Sequence, residues 1–336
     1  MQNKLSRNVW SSLIVVVILV TILSGCSGAQ QSKVYRVGVL SGLDAFSAAI
    51  DGFQAKMTEL GYVEGENIVY DIERTNVDIE AYKRIAQKFV DDQVDLIFVF
   101  PTEASMEVKA ATQGTDIPVI FDLAFTDVPG VDLINTVREP GGNITGVRFP
   151  SAAIASKRLQ ILAELVPDAK RVFVPYLKGY PNVPGQLDTL RPQAEQLGVE
   201  LVEYGAASPD DLLAEMNRLG ASSQGIDAIL MIAEPLAITP PFYSILAKYS
   251  YENKVPIGGA LITVDGYTPI FGLLPDAKVT GEQAALMADK VFEGTVAGTI
   301  PVITAESMFQ IEINAAQQLG VTVPEGLLKQ ADQIIK

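Results

Sequence analysis

Three apolar runs of this chain recur, in the same order, about one domain length later. Arg36–Leu40 returns as Arg171–Pro175, 135 residues on, and Asp95–Phe100 returns as Asp227–Ile232, 132 residues on. The third, Pro118–Phe121, returns as Val255–Gly259, its proline displaced by 138. Short runs that are apolar on both faces read as strands buried within a parallel sheet. Helical patterns separate them. Ile50, Phe53, Met57 and Leu60 follow at three- and four-residue spacing, and Gly61 stops the pattern. Further helices are expected over 79–91, 102–112, 151–165, 209–219 and 280–292, with another ending at Leu197 before Gly198. Strands alternating with helices place helices on both faces of a parallel sheet. The expected fold class is therefore α/β: two similar doubly wound parallel-sheet domains joined by a hinge, with a ligand cleft between them. The Gly-rich segment Gly141–Gly146 suits that hinge.

The amino-terminal segment sets the location. Lys4 and Arg7 precede a largely apolar stretch from Val9 to Leu23, and small residues lead to Cys26. This is the layout of a secretory leader. The stretch is short of the about 20 apolar residues that span a bilayer. The order Leu23-Ser24-Gly25-Cys26 matches a bacterial lipoprotein signal, so lipidation at Cys26 is expected, with residues 1–25 removed and 26–33 forming a tether. The body then lies outside the cytoplasm, on the membrane by its lipid anchor. The full chain has 25 Lys and Arg against 40 Asp and Glu, and the leader carries only basic charges. That surface disfavours nucleic acid. There is no histidine and only one cysteine, which removes Ser-His-Asp and Cys-His catalysis, His-ligated zinc and an internal disulfide. Nothing asks for a cofactor or a metal, and the chain reads as a binding protein, not an enzyme.

In open parallel sheets ligands sit beyond the carboxyl ends of the strands. Those ends give paired loops. Ser41, Gly42, Leu43 and Asp44 follow the first strand, and Tyr176 follows its repeat. Pro101, Thr102 and Glu103 face Glu234. Asp122, Leu123 and Phe125 face Gly259 and Ala260. Thr102 is placed to cap the helix that starts there, leaving its first N–H groups for a carboxylate. Glu103 beside it either complements the helix dipole or points inward and favours an amine. Asp122 and Glu234 are candidates to receive an ammonium group. Tyr176, Phe125 and Phe271 are candidates to stack on an apolar or aromatic ligand, or to pack between domains. Added bulk at Gly259 is expected to weaken binding without unfolding the chain.

Five segments carry a family resemblance. They are Arg36-Val-Gly-Val-Leu40, Leu60-Gly-Tyr-Val-Glu-Gly-Glu-Asn67, Asp116-Ile-Pro-Val-Ile-Phe121, Pro140-Gly-Gly-Asn-Ile-Thr-Gly146 and Gly281-Glu-Gln-Ala-Ala285. Together they resemble the bacterial ABC transporter substrate-binding proteins of the tryptophan and tyrosine type, over about Tyr35 to Ile335. The resemblance implies a type I periplasmic-binding-protein fold with three hinge segments. By it, residues 34–146 and about 275–305 form the first lobe, and 147–274 and about 306–336 form the second. It further implies a monomer that captures a small molecule by hinge closure and delivers it to an ABC permease. An aromatic or apolar amino acid is the first guess. The alternative is a ligand-sensing lipoprotein that signals to a membrane receptor kinase. A hydrolase on the same scaffold is the third reading. The chain has no Walker A segment, so the ATPase would be a separate protein.

Overall fold

The computed structural model describes residues 33–336 apart from 223, 224 and 261, so the leader and Cys26 lie outside the described residues. The chain opens with β1 (Tyr35–Ser41), α1 (Ala48–Glu59), β2 (Ile68–Arg74), α2 (Ile79–Asp91) and β3 (Leu96–Phe100). It continues through α3 (Thr102–Ala111), β4 (Val119–Ala124) and β5 (Ile144–Arg148). A second unit follows with α4 (Ser151–Leu165), β6 (Arg171–Leu177), α5 (Val183–Leu197), β7 (Glu200–Ala206) and α6 (Pro209–Gly220). It proceeds through β8 (Ala228–Leu230), α7 (Pro240–Asn253), β9 (Ile257–Gly258) and β10 (Phe271–Pro275). The remainder is α8 (Ala277–Phe292), β11 (Ile303–Thr304), β12 (Ser307–Glu312), α9 (Ile313–Gln318), α10 (Glu325–Gln330) and β13 (Gln333–Ile335).

The first sheet has six strands, ordered β11-β5-β4-β3-β1-β2, with every pair parallel. Alternation along its strands explains why both faces are apolar. Val37, Val39, Leu96, Phe98 and Ile120 share a buried layer with Ala49, Ile50 and Phe53 of α1. Leu40, Ile97, Val99, Val119 and Phe121 face the other way, toward Tyr82 and Phe89 of α2 and Val108 of α3. Successive side chains point to opposite faces, so a central strand needs an apolar residue at every position.

The second sheet runs β7-β6-β8-β9 in parallel, and a three-stranded group runs β10-β12-β13. Backbone bonds join the two groups. The Ile270 N–H donates to the Ile257 carbonyl at 2.8 Å, Gly259 N–H to Phe271 at 3.0 Å, and Leu273 N–H to Gly259 at 2.9 Å. The result is one continuous second sheet. Within it β10 and β12 are antiparallel, while β12 and β13 are parallel. There are thus two α/β lobes, each with a largely parallel sheet.

The chain crosses between lobes three times: after β5, after β10 and after β11. Asp276 marks the second crossing and caps α8, its carboxylate accepting from the Lys278 N–H at 2.8 Å. The Gly-rich segment is not at a crossing. Gly141 donates its N–H to the Gly298 carbonyl within the first lobe, at 2.9 Å. Gly146 lies inside β5, where a Cβ would stand 2.0 Å from the Phe121 carbonyl oxygen. The first crossing comes later, at 149–150, because β5 continues to Arg148.

Helix α8 returns the chain to the first lobe by packing on α1. The two backbones touch: a Cβ on Gly52 would lie 1.9 Å from the Lys278 carbonyl oxygen, and one on Gly281 would lie 2.0 Å from that of Ala49. Gly281→Ala is therefore expected to destabilise the protein by about 2 kcal/mol or more, since the obstacle is backbone that cannot rotate away. Urea unfolding checks this, and a midpoint equal to that of the unaltered chain would show that the helices separate freely.

Candidate functional site

The carboxyl ends of β1, β3 and β4 in one lobe face those of β6 and β8 in the other. One hydrogen bond spans them: the Tyr180 hydroxyl, from the loop after β6, donates to Glu103 Oε1 in the first turn of α3, at 3.0 Å. Glu103 thus points inward across the cleft. Seven buried side-chain N or O atoms among the described residues have no partner within the protein. Four of them, Ser41 Oγ, Thr126 Oγ1, Asn182 Oδ1 and Glu234 Oε1, sit on these facing loops. Buried polar atoms are ordinarily paired, so these four make the facing loops a candidate ligand site. A cavity of about 930 Å³ opens elsewhere, lined by Tyr35, Asp95, Met106 and Phe292, and it carries none of the unpartnered atoms.

On the first lobe, Ser41 ends β1 fully buried. Gly42 donates its N–H to Phe100 at 2.8 Å, and its carbonyl accepts from the Tyr82 hydroxyl at 2.6 Å. A Cβ there would sit 2.8 Å from the Tyr82 ring, so the position needs glycine for close approach. Leu43 is half-buried, and Asp44 is exposed in a short 3-10 turn. Thr102 is not the cap of α3. Pro101 holds the cap position without a capping side chain. The Thr102 hydroxyl accepts from the Phe125 N–H at 3.0 Å and ties the start of α3 to the β4 loop. Phe125 meets Phe149 of the first crossing edge-on, with centroids 5.7 Å apart.

Asp122 does not reach the cleft. It is fully buried, with Oδ1 accepting from the Leu123 N–H at 2.8 Å and Oδ2 2.9 Å from the Thr280 hydroxyl of α8. Burial pushes its pKa up to about 8, against those two hydrogen bonds. Leu123 beside it has φ +49°, a left-handed conformation at the bulge where the β4–β5 register shifts.

On the second lobe, Glu234 is 6% exposed, and its Oε2 accepts from the Leu177 N–H at 3.2 Å. Burial raises its pKa to about 7, opposed by backbone N–H groups and the Arg158 charge. Arg158 is fully buried on α4. Its Nη2 and Nε donate to the Leu273 carbonyl at 2.8 and 3.1 Å, and its Nη1 to that of Met231 at 3.0 Å. Asn182, buried at the amino end of α5, donates from Nδ2 to the Ala233 carbonyl at 2.7 Å. Gln186 grips the same residue from both sides, accepting from the Ala233 N–H at 2.8 Å and donating to its carbonyl at 3.1 Å.

Four sequence-derived candidates in this lobe fall away from the cleft. The Tyr176 ring covers Gly205 of the neighbouring strand β7, where a Cβ would lie 2.9 Å from the ring. Gly259 lies in the junction of the second sheet with φ +130°, and a Cβ would stand 2.2 Å from the Met231 carbonyl oxygen. Bulk at Gly259 therefore breaks the sheet instead of sparing it. Ala260 is fully buried beside that junction. Phe271 is core, its ring against Gly258 and 6.3 Å from that of Phe309. The reading of the residues missed Tyr180, Asn182 and Arg158. A signal for Asn182 was present, since Asn two residues before Pro184 marks a helix start.

A family model described as ABC transporter substrate binding protein matches residues 36–335. A tyrosine-binding protein of Clostridioides difficile (strain R20291) is 29% identical over 319 residues, covering 90% of this chain and 88% of that protein. A solved conserved domain protein from Vibrio cholerae is 25% identical, with TM-score 0.76, covering 90% of this chain and 100% of that one. A solved ABC domain from Streptococcus pneumoniae in complex with L-Trp shares the fold at 22% identity and TM-score 0.75, with the same coverages.

The burial of Asp122 has a pH consequence. Its pKa rises on folding from 3.8 to about 8, so the folded chain holds the proton that the unfolded chain releases. Its stabilising share is complete below the unfolded value and is lost as pH rises toward 8. Asp122→Asn is expected to flatten the decline of stability across that window and to leave the protein at least as stable at its upper end. Urea unfolding at several pH values measures this. An unchanged slope would mean that Asp122 is ionised at neutrality in the folded state.

Proposed function

The chain belongs to the ABC transporter substrate-binding protein family, and from that premise we propose that it is the extracytoplasmic receptor of an importer, capturing an aromatic or apolar amino acid between its lobes. The observation that carries this reading is the Tyr180–Glu103 bond across the cleft, set among four buried polar atoms without protein partners. Three chain crossings form the hinge, with the lobe boundaries at about 149, 276 and 305. A ligand that touches both lobes binds the closed arrangement better than the open one and shifts the population toward it. The closed form then presents both lobes to the permease as a monomer.

The choice of ligand class leans on relatives whose names or contents are tyrosine and L-Trp. Half-buried Leu43, Phe46 and Phe125 supply apolar surface on the first-lobe side. The lipid anchor on Cys26 rests on the Leu23–Cys26 signal. Among the described residues no helix is long and apolar enough to cross a membrane, so the described body supplies no helical anchor of its own. The family binds its substrates, and no bond-making or bond-breaking step is assigned to the cleft.

A thermal-unfolding panel on the full chain in detergent, with the twenty standard amino acids, tests the reading. The cognate ligand at a hundred times its Kd adds about 2.7 kcal/mol of stability. Tyr180→Phe removes the bond across the cleft and is expected to weaken that ligand roughly tenfold in calorimetry. Absence of a response to every amino acid would sink the ligand class. Unchanged affinity in Tyr180→Phe would remove that bond from the closing step.

A further inference from the structure

Resting on the lipid anchor proposed at Cys26, we propose that the amino end of the first lobe is a membrane-contact face, which lies on the lipid surface through Val34, Met106 and Val296 and leaves the second lobe free to move. The argument starts from where the described chain begins. Lys33 lines the cavity of about 930 Å³ that stands apart from the cleft. A second cavity, of about 440 Å³, shares Asp95, Thr115, Asp116 and Pro118 with it. Among the residues lining the larger one, Tyr35, Asp95, Pro118 and Asn143 sit at the amino ends of β1, β3, β4 and β5. The two cavities therefore form one indented surface at the end of the sheet opposite the ligand loops.

The start of the chain is fastened to that surface. Tyr35 stacks on Phe292 of α8, with centroids 3.9 Å and ring planes 17° apart, and meets Tyr62 edge-on at 5.8 Å. Its N–H donates to the Asn67 carbonyl at 2.9 Å. Lys33 pairs with Asp95 at 2.7 Å, and its ammonium stands 4.7 Å from the centre of the Tyr35 ring. Lys33 follows Cys26 by seven residues, a length of chain that reaches at most about 25 Å. An anchor on Cys26 therefore holds this end of the first lobe close to the bilayer, at the high local concentration that a short link provides.

The exposed side chains on this face suit lipid. Val296, 62% exposed, and Met106, 37% exposed, line the larger cavity, and Val34, 47% exposed, lies between the lining residues Lys33 and Tyr35. Apolar side chains exposed together around one indentation mark an interaction surface. Charge decides how that surface holds a membrane. The lining cations are Lys33 and Lys109, against Asp95, Asp116 and Asp132. Such a lining has no pull toward anionic lipid, so the contact is apolar and insensitive to salt. Among the described residues no helix is long and apolar enough to cross a membrane, so the contact is superficial.

Tryptophan quenching tests the proposal. The chain's one tryptophan, Trp10, lies in the leader, so the processed lipoprotein has none. Val296→Trp is made in the lipidated chain, with Leu213→Trp, likewise exposed but on α6 of the second lobe, as the reference. Each is carried on phosphatidylcholine vesicles, with and without bromine near the headgroups. Val296→Trp is expected to lose most of its emission in the brominated vesicles, and Leu213→Trp to keep its own. Adding Met106→Asp to Val296→Trp is expected to restore the emission, whereas added salt is not. Val296→Trp that floats with the vesicles and is not quenched would overturn the contact face and leave the anchor standing. Equal quenching of the two tryptophans, or recovery of emission in salt, would also overturn it. Failure of the lipidated chain to float would overturn the anchor and the contact face together.

Discussion

The backbone crossing of α1 and α8 holds together everything else in this molecule. The first lobe is assembled from two pieces separated by most of the second, and α8 is the element that brings the later piece home. Gly52 and Gly281 let the helices meet backbone to backbone. The Thr280 hydroxyl beside Asp122 ties the same helix to the end of β4. With α8 seated, β11 can add to β5 at the sheet edge. The chain must then pass between lobes three times. On the proposed hinge motion, three linkers would confine the lobes to bending about one edge and keep their strand ends facing each other.

A second constraint lies under the cleft floor. Strand β9 is only two residues long, so the second sheet is weakly knit where β8 passes to β10. Arg158 bridges that gap from below by donating to the Met231 and Leu273 carbonyls. Its charge also favours the ionised form of Glu234, whose burial works the other way. Removing a guanidinium from such a place leaves carbonyls unpaired and a buried carboxylate uncompensated, which is among the few mechanisms that destabilise strongly. The same side chain therefore supports the sheet and contributes, after the backbone N–H groups, to favouring the ionised form of Glu234.

The repeat architecture was legible because burial on both sheet faces forces apolar runs, and Gly61 and Gly198 ended their helices in the sequence as they do in the fold. Helix α4 has the bounds its periodicity predicts. The return of α8 was not legible from periodicity, since an apolar stripe does not say which sheet it covers; only the family resemblance supplied it. The cleft loops followed from the strand-end rule, yet their occupants did not all follow. Strand β6 runs to Leu177, beyond the apolar run that revealed it, so Tyr176 is still a sheet residue and Tyr180 takes the cleft position. Gly259 and Phe271 were misplaced because a two-residue strand leaves no pattern to read. Arg158 did leave a trace. It falls on the stripe Ile154, Ile161, Leu162 and Leu165, where a charge on an apolar face calls for a buried partner.

The unpartnered atoms also explain why closure would wait for a ligand. Leaving one polar atom buried and unpaired costs roughly 1–3 kcal/mol, so unpaired atoms on the facing loops weigh against a closed arrangement without ligand. One bond from Tyr180 to Glu103, even with a charged acceptor, contributes only about 1.5–3 kcal/mol in return. On the proposed closing motion, an open cleft would relieve the difference by giving those atoms to solvent. A ligand would relieve it in the closed form, and only if its groups match the polar atoms it meets. Specificity and closure would then have one origin: a molecule that cannot pair with Asn182 and Glu234 would fill the space and still leave the penalty in place.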